Sequence, residues 1–139
     1  MAKDIPSLKS FKKNLETFAL NVKFNSTPLI VASQPSLYSN NLTREDKKLL
    51  WMQKAFMKPT ADTYADLNSL IMGMNEFNKV SKDISIEFQT GFVDLEKIVP
   101  KNSKFFKDDC HYTEMGNQLI ADSLSSFIQK QSYISNQSE

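Results

Sequence analysis

An α/β fold with parallel strands is predicted by three features of this sequence. Apolar residues at helical spacing alternate with short, unbroken apolar runs. Stretches rich in Asn, Ser, Thr and Pro separate them. The resulting order is helix, strand, helix, helix, strand, helix, which gives about four helices and about two parallel strands in one layered unit. Residues 1–131 form that single α/β segment, and the polar tail 132–139 is expected to fray.

Leu8, Phe11, Leu15, Phe18 and Val22 lie three and four residues apart and predict a helix with one apolar stripe, with Pro6-Ser7 as its start and cap. The break Asn25-Ser26-Thr27-Pro28 leads into Leu29–Ser33, a run suited to a strand covered on both faces. Residues 34–43 are loop-like. Thr43 can cap a second helix with Glu45 and Asp46 in its first turn, running to about Met57 and stopped by Pro59. Tyr64, Leu67, Leu70, Ile71, Met74 and Phe77 mark a third helix. Ile84, Ile86 and Phe88 alternate with polar residues and predict the second strand, interrupted at Gly91. The last helix begins near Thr113, with Met115, Leu119, Ile120, Leu124, Phe127 and Ile128 on one side.

Composition narrows the function classes. The 139 residues are 40% hydrophobic, enough for one core. Seventeen basic and 16 acidic residues leave a net charge of +1, and the lysines are scattered, so neither a nucleic-acid groove nor an anionic surface is indicated. No apolar stretch is long enough for a membrane span. The first residues, MAKDIPSLK, lack the apolar segment of a secretory signal, so the chain as written reads as soluble and cytoplasmic, while a longer parent chain could lie elsewhere. One cysteine, Cys110, excludes an internal disulfide framework.

The chemistry concentrates in Phe105–Ala121, FFKDDCHYTEMGNQLIA. The only histidine, His111, follows Asp108 by three residues in a loop between the second strand and the last helix. Ligands in open α/β sheets bind outside the carboxyl ends of the strands, where such loops lie. A carboxylate on one ring nitrogen leaves the other to act as a base, which is two thirds of a hydrolytic triad. Lys107 and Asp109 are expected to be solvated flanking residues. Gln34, at the end of the first strand, is a candidate substrate-side group, with hydrogen bonding to the turn at Pro35 as its alternative.

The string Asp108-Asp109-Cys110-His111-Tyr112-Thr113-Glu114-Met115-Gly116, followed by Leu119-Ile120-Ala121, resembles the last block of the SGNH, or GDSL-like, hydrolase superfamily. Phe92-Val93-Asp94-Leu95 looks like the strand end before that block. The segment Pro28 to Tyr38 is similar to the strand and Gln-Pro loop of some members. The resemblance covers about residues 8–130. It implies a partial three-layer α/β/α, flavodoxin-like fold holding about two of the family's five strands. It implies His111 as general base and then acid, Asp108 as its orienting group, and ester hydrolysis through an acyl-enzyme without metal or organic cofactor. The family's G-D-S block, following Gly block and G-x-N-D block do not occur here; the glycines are Gly73, Gly91 and Gly116. The expectation is therefore the C-terminal part of a serine esterase, inactive alone. Its substrate would be a small-molecule or carbohydrate ester. Its nucleophile would come from an N-terminal portion or a separate polypeptide, and self-association is the other partnership expected. The rival reading is a non-catalytic α/β interaction module with a relict or coincidental Asp–His pair.

Other assignments are weaker on physical grounds. Cys110 and His111 are adjacent, and adjacent side chains rarely face each other. Asp108 to His111 are four consecutive residues that seldom converge on one ion, so no metal site is expected. Ser33 and Ser36 lie outside any G-x-S-x-G turn and read as loop serines. Trp51 and Phe56, like the six methionines, are expected to be core packing.

Overall fold

The structure is a computed structural model that describes residues 5–52 and 66–131. The predicted positions Phe56, Met57, Pro59 and Tyr64 and the tail 132–139 lie outside the described residues. Among the described residues five helices and two strands are seen in chain order: α1 (Pro6–Phe24), β1 (Ile30–Ala32), α2 (Arg44–Lys48), α3 (Leu67–Glu87), β2 (Gly91–Val93), α4 (Leu95–Ile98) and α5 (Glu114–Lys130). Among the described residues β1 and β2 form a two-stranded parallel sheet, with Ile30 opposite Gly91, Val31 opposite Phe92 and Ala32 opposite Val93. Bonds from Gly91 N to Leu29 O (3.0 Å) and from Ser33 N to Val93 O (3.0 Å) extend the pairing beyond both ends of β1.

Helix α1 starts with Pro6 at its first turn and Ile5 at the cap position, so Ser7 lies inside the helix and caps nothing. The missing proline N–H is one the helix end leaves unpaired anyway. The helix closes with Ser26 at φ 52°, where the amides of Ser26 and Thr27 bond Lys23 O and Val22 O. Helix α2 is capped by Thr43, whose hydroxyl accepts from Asp46 N at 3.1 Å.

The second strand begins only after the segment that the pattern predicts. Residues 84–88 continue α3 to Glu87, and the strand is Gly91–Val93. Ile84 is fully buried but Ile86 is 65% exposed, so the alternation is not a sheet pattern. The buried face of α3 is completed by Ser81 and Ser85, whose hydroxyls bond back to Phe77 O (3.2 Å) and Lys82 O (2.7 Å). Small residues with locally satisfied hydroxyls fill core positions without carrying a hydrophobic signal. Gln89, at φ 56°, then ends the helix, with Gln89 N on Ile86 O and Thr90 N on Ser85 O. This paired closure satisfies two end carbonyls and turns the chain into β2.

Helix α1 packs on α3, where Phe11 and Phe77 meet edge-on at 5.0 Å between ring centroids. Helix α3 also packs against both strands, and α5 crosses β2 at Gly91. A Cβ there would lie 2.8 Å from the Phe127 ring and 3.2 Å from Ile30 Cγ1, so glycine permits the crossing. Beyond the strand ends, Leu37, Tyr38, Leu42, Leu50, Val99 and Phe106 form a buried cluster contributed largely by loops. Trp51 is 44% exposed and lies outside that core, contrary to expectation.

Candidate functional site

The loop bearing Asp108 and His111 is a pinched hairpin. Phe106 and Tyr112 form an antiparallel bridge, Lys107 N donates to His111 O (2.8 Å), and Thr113 N donates to Phe105 O (3.0 Å). Thr113 then caps α5, accepting from Gly116 N at 3.1 Å. A side chain at Gly116 would collide with the Phe105 carbonyl oxygen, so glycine lets the first turn of α5 sit against the hairpin.

Asp109 is not solvated; it is fully buried. Its Oδ2 accepts from Trp51 N (2.6 Å) and Met52 N (3.3 Å), and its carbonyl accepts from Leu37 N (2.9 Å). Burial first, and the Asp109 charge second, raise the Tyr38 phenol well above its ordinary value. With Asp109 drawn inward, its neighbours on either side are presented outward. Sequence reasoning could not find this anchor, because two adjacent aspartates carry no mark of which one turns inside.

Asp108 and His111 are brought together. The ring Nδ1 lies 2.7 Å from Asp108 Oδ2 and 3.0 Å from Oδ1. Asp108 Oδ1 also accepts from the backbone amides of Cys110 (3.0 Å) and His111 (2.9 Å). Partial burial pushes the Asp108 carboxyl up, but these two amides and the ring together hold it below its ordinary value. The carboxylate is thus fixed by the backbone before it meets the imidazole. The His111 side chain is 69% exposed.

Gln34 is placed beside this loop by Tyr112. Its Nε2 donates to the Tyr112 hydroxyl (2.6 Å) and to Pro35 O (3.2 Å), while the Tyr112 hydroxyl donates to Pro35 O (3.1 Å). Burial is the main cause that pushes the Tyr112 phenol up to about 12, so it is neutral at physiological pH. Gln34's backbone is clamped by Asn78, which accepts from Gln34 N (2.7 Å) and donates to Gln34 O (3.0 Å). The Gln34 amide nitrogen is therefore committed to the turn. Neither Tyr112 nor Asn78 was marked by the sequence.

Ser33 is held through its hydroxyl and Ser36 through its backbone. Ser33 Oγ donates to Asp94 Oδ1 (3.0 Å) and accepts from Glu96 N (2.9 Å), capping the short helix α4 from outside. Ser36 N donates to Glu96 Oε2 (3.0 Å), its carbonyl accepts from Lys101 Nζ (2.9 Å), and Lys101 pairs with Glu96. Ser36 Oγ is buried with no hydrogen-bond partner among the described residues. No serine hydroxyl is hydrogen-bonded to His111 among the described residues.

Cys110 is exposed, with Sγ 3.9 Å from His111 Nδ1. Burial, then the charges of Asp108 and Asp109, push its thiol up, which keeps it protonated and a poor nucleophile. The ligand atoms of Asp108, Cys110 and His111 all lie within 4.8 Å of one another, so three of these four consecutive residues do converge. The inward turn of Asp109 is the reason.

No protein-family model, curated protein or solved structure matches this chain. The arrangement can hold one imidazole in a set tautomer, with Nδ1–H on a carboxylate and Nε2 able to take a proton. Among the described residues no helix is long and apolar enough to cross a membrane.

Proposed function

We propose that this chain supplies the Asp–His part of a serine esterase of the SGNH type, with the attacking serine and oxyanion donors furnished by a further segment or a separate polypeptide. The observation that carries this reading is the 2.7 Å contact between Asp108 Oδ2 and His111 Nδ1, on a ring that is 69% exposed. The carboxylate selects the tautomer and would stabilise the imidazolium formed when Nε2 accepts the serine proton. His111 would then return that proton to the leaving alcohol. Asp109 positions the loop without touching the reacting atoms, and Gln34 braces it through Tyr112. The substrate would be a small-molecule or carbohydrate ester.

Energetics assign the isolated chain little activity. A positioned base contributes about 10²–10⁴-fold, and only on a bound substrate. The roughly 10³–10⁴-fold that survives loss of a triad member comes from the oxyanion hole and substrate binding, and in this reading the oxyanion donors lie on the further segment. The chain alone should give no p-nitrophenol burst from p-nitrophenyl acetate. A burst that disappears in His111→Ala would refute the divided-site reading.

A second reading, a non-catalytic interaction module, is favoured by the lack of any serine bonded to His111 among the described residues. Co-expression with the adjoining coding sequence separates the two. A divided esterase should label with a fluorophosphonate and lose about 10⁴-fold or more of its turnover in His111→Ala. Full turnover in that variant, or an adjoining sequence without a G-D-S block, would favour the interaction module.

A further inference from the structure

The convergence of Asp108, Cys110 and His111 has a chemistry of its own. Carboxylate, thiol and imidazole are the three side-chain types that bind zinc. His111 Nδ1 is 3.9 Å from Cys110 Sγ and 2.7 Å from Asp108 Oδ2. Around a tetrahedral zinc, with bonds of about 2.0–2.3 Å, neighbouring ligand atoms lie about 3.3–3.6 Å apart. Relative to the ring, the thiol has to approach by a few tenths of an ångström and the carboxylate oxygen has to recede by somewhat more; thiol and carboxylate, within 4.8 Å of each other, have to close by up to about an ångström. Both lie on an exposed hairpin whose backbone is pinned elsewhere, by Asp109 and by the Phe106–Tyr112 bridge. The two oxygens of Asp108 are also unequal. Oδ1 carries the amides of Cys110 and His111, whereas Oδ2 is bonded to the ring alone. A metal at Oδ2 would replace the contacts between ring and carboxylate and keep the two amide bonds that orient the carboxylate.

We propose that Asp108 Oδ2, Cys110 Sγ and His111 Nδ1 form a binding site for a thiophilic divalent cation of the zinc type, completed by water. On binding, the thiol releases its proton to solvent and the thiolate coordinates the ion. The imidazole remains neutral, but its proton moves from Nδ1, now a ligand, to Nε2. The outward nitrogen thereby changes from proton acceptor to proton donor. In the esterase reading, on which this consequence rests, zinc switches the general base off by reversing its tautomer; the cation site itself does not depend on that reading.

The test uses the full chain, reduced and metal-free, titrated with Co²⁺ as a spectroscopic stand-in for zinc. One equivalent should produce a near-ultraviolet thiolate-to-cobalt absorption that Zn²⁺ abolishes. Cys110→Ser should eliminate the band. His111→Ala and Asp108→Asn should each weaken Zn²⁺ binding by about tenfold or more. Circular dichroism checks that each variant remains folded. No band at millimolar Co²⁺, or a band of unchanged affinity in His111→Ala or Asp108→Asn, would overturn the site. The band present in a protein that proves to have no esterase activity with any partner would leave the cation site standing and remove only the esterase reading.

Discussion

Asp108 and Asp109 are neighbours of the same chemistry with opposite roles. One carboxylate is pinned outside by two amides and a ring, and the other is buried against two backbone N–H groups. Substitution should separate them. Asp109→Ala leaves the amides of Trp51 and Met52 without their acceptor, and hydrogen bonds to charged groups are worth about 1.5–3 kcal/mol each. Its urea midpoint should fall correspondingly, while Asp108→Asn should cost less than about 1 kcal/mol. Asp108→Asn should instead alter the ring: with a single histidine in the chain, its ¹⁵N resonances should report the Nδ1–H tautomer in the parent at mildly alkaline pH and a mixture in the variant. Asp46 gives a third signature. The Thr43 hydroxyl (2.6 Å), then Ser103 N (2.7 Å), hold its carboxyl below the ordinary value of 3.8. The unfolded chain takes up this proton first on acidification. The contribution is therefore whole above the ordinary value and disappears as pH falls through the depressed folded one. Stability measured from about pH 6 to about pH 3 should drop less steeply in Asp46→Asn than in the parent.

Among the elements, α5 depends on how closely its first turn approaches the hairpin. Gly116→Ala should destabilise by about 1–3 kcal/mol, since a new Cβ would press on the backbone oxygen of Phe105, which no rotamer change can move. Equilibrium unfolding in urea measures this. The strand pair has a different weakness. In the parallel register the amides and carbonyls of Ile30 and Ala32 point away from β2, and a two-stranded sheet is a poor independent unit. This edge, unpaired by any strand among the described residues, should make the lone chain associate as its concentration rises. Light scattering should show mass growing with concentration, and a monodisperse monomer at high concentration would contradict this. The misplacement of the second strand belongs to this scale as well. Ser81 and Ser85 occupy the buried stripe of α3, so a pattern read from apolar residues alone selects Ile86, which faces solvent.

In the molecule as a whole, the hairpin that carries the Asp–His pair is joined to Gln34 through Tyr112, over a core made mostly by loops. That core is closed by polar tethers between distant segments: Asp109 to residues 51–52, Asp46 to Ser103, and Glu96 with Lys101 to Ser36. Such tethers explain how a small two-stranded sheet can present an ordered site. The Ser33 hydroxyl is taken up by Asp94 and Glu96 N, the Ser36 hydroxyl is buried, and no serine hydroxyl is bonded to His111 among the described residues, so the proposed reaction takes its attacking hydroxyl from a further segment.

Local patterns were sufficient to place α1, the Thr43 cap, the start of α5 near Thr113, β1 and the Asp108–His111 pair, because each depends on residues within a few positions of one another. A helix stripe, a cap and a carboxylate three residues before a histidine are short-range relations, and their energetics are written locally. The inward turn of Asp109, the serines on the buried face of α3 and the hold of Tyr112 on Gln34 are of another kind. Each depends on a partner or a packing surface brought close only by the closed chain, such as Trp51 for Asp109, 58 positions away. The side that a polar residue takes is decided by which distant donors need an acceptor, and that becomes defined only after the segments have packed.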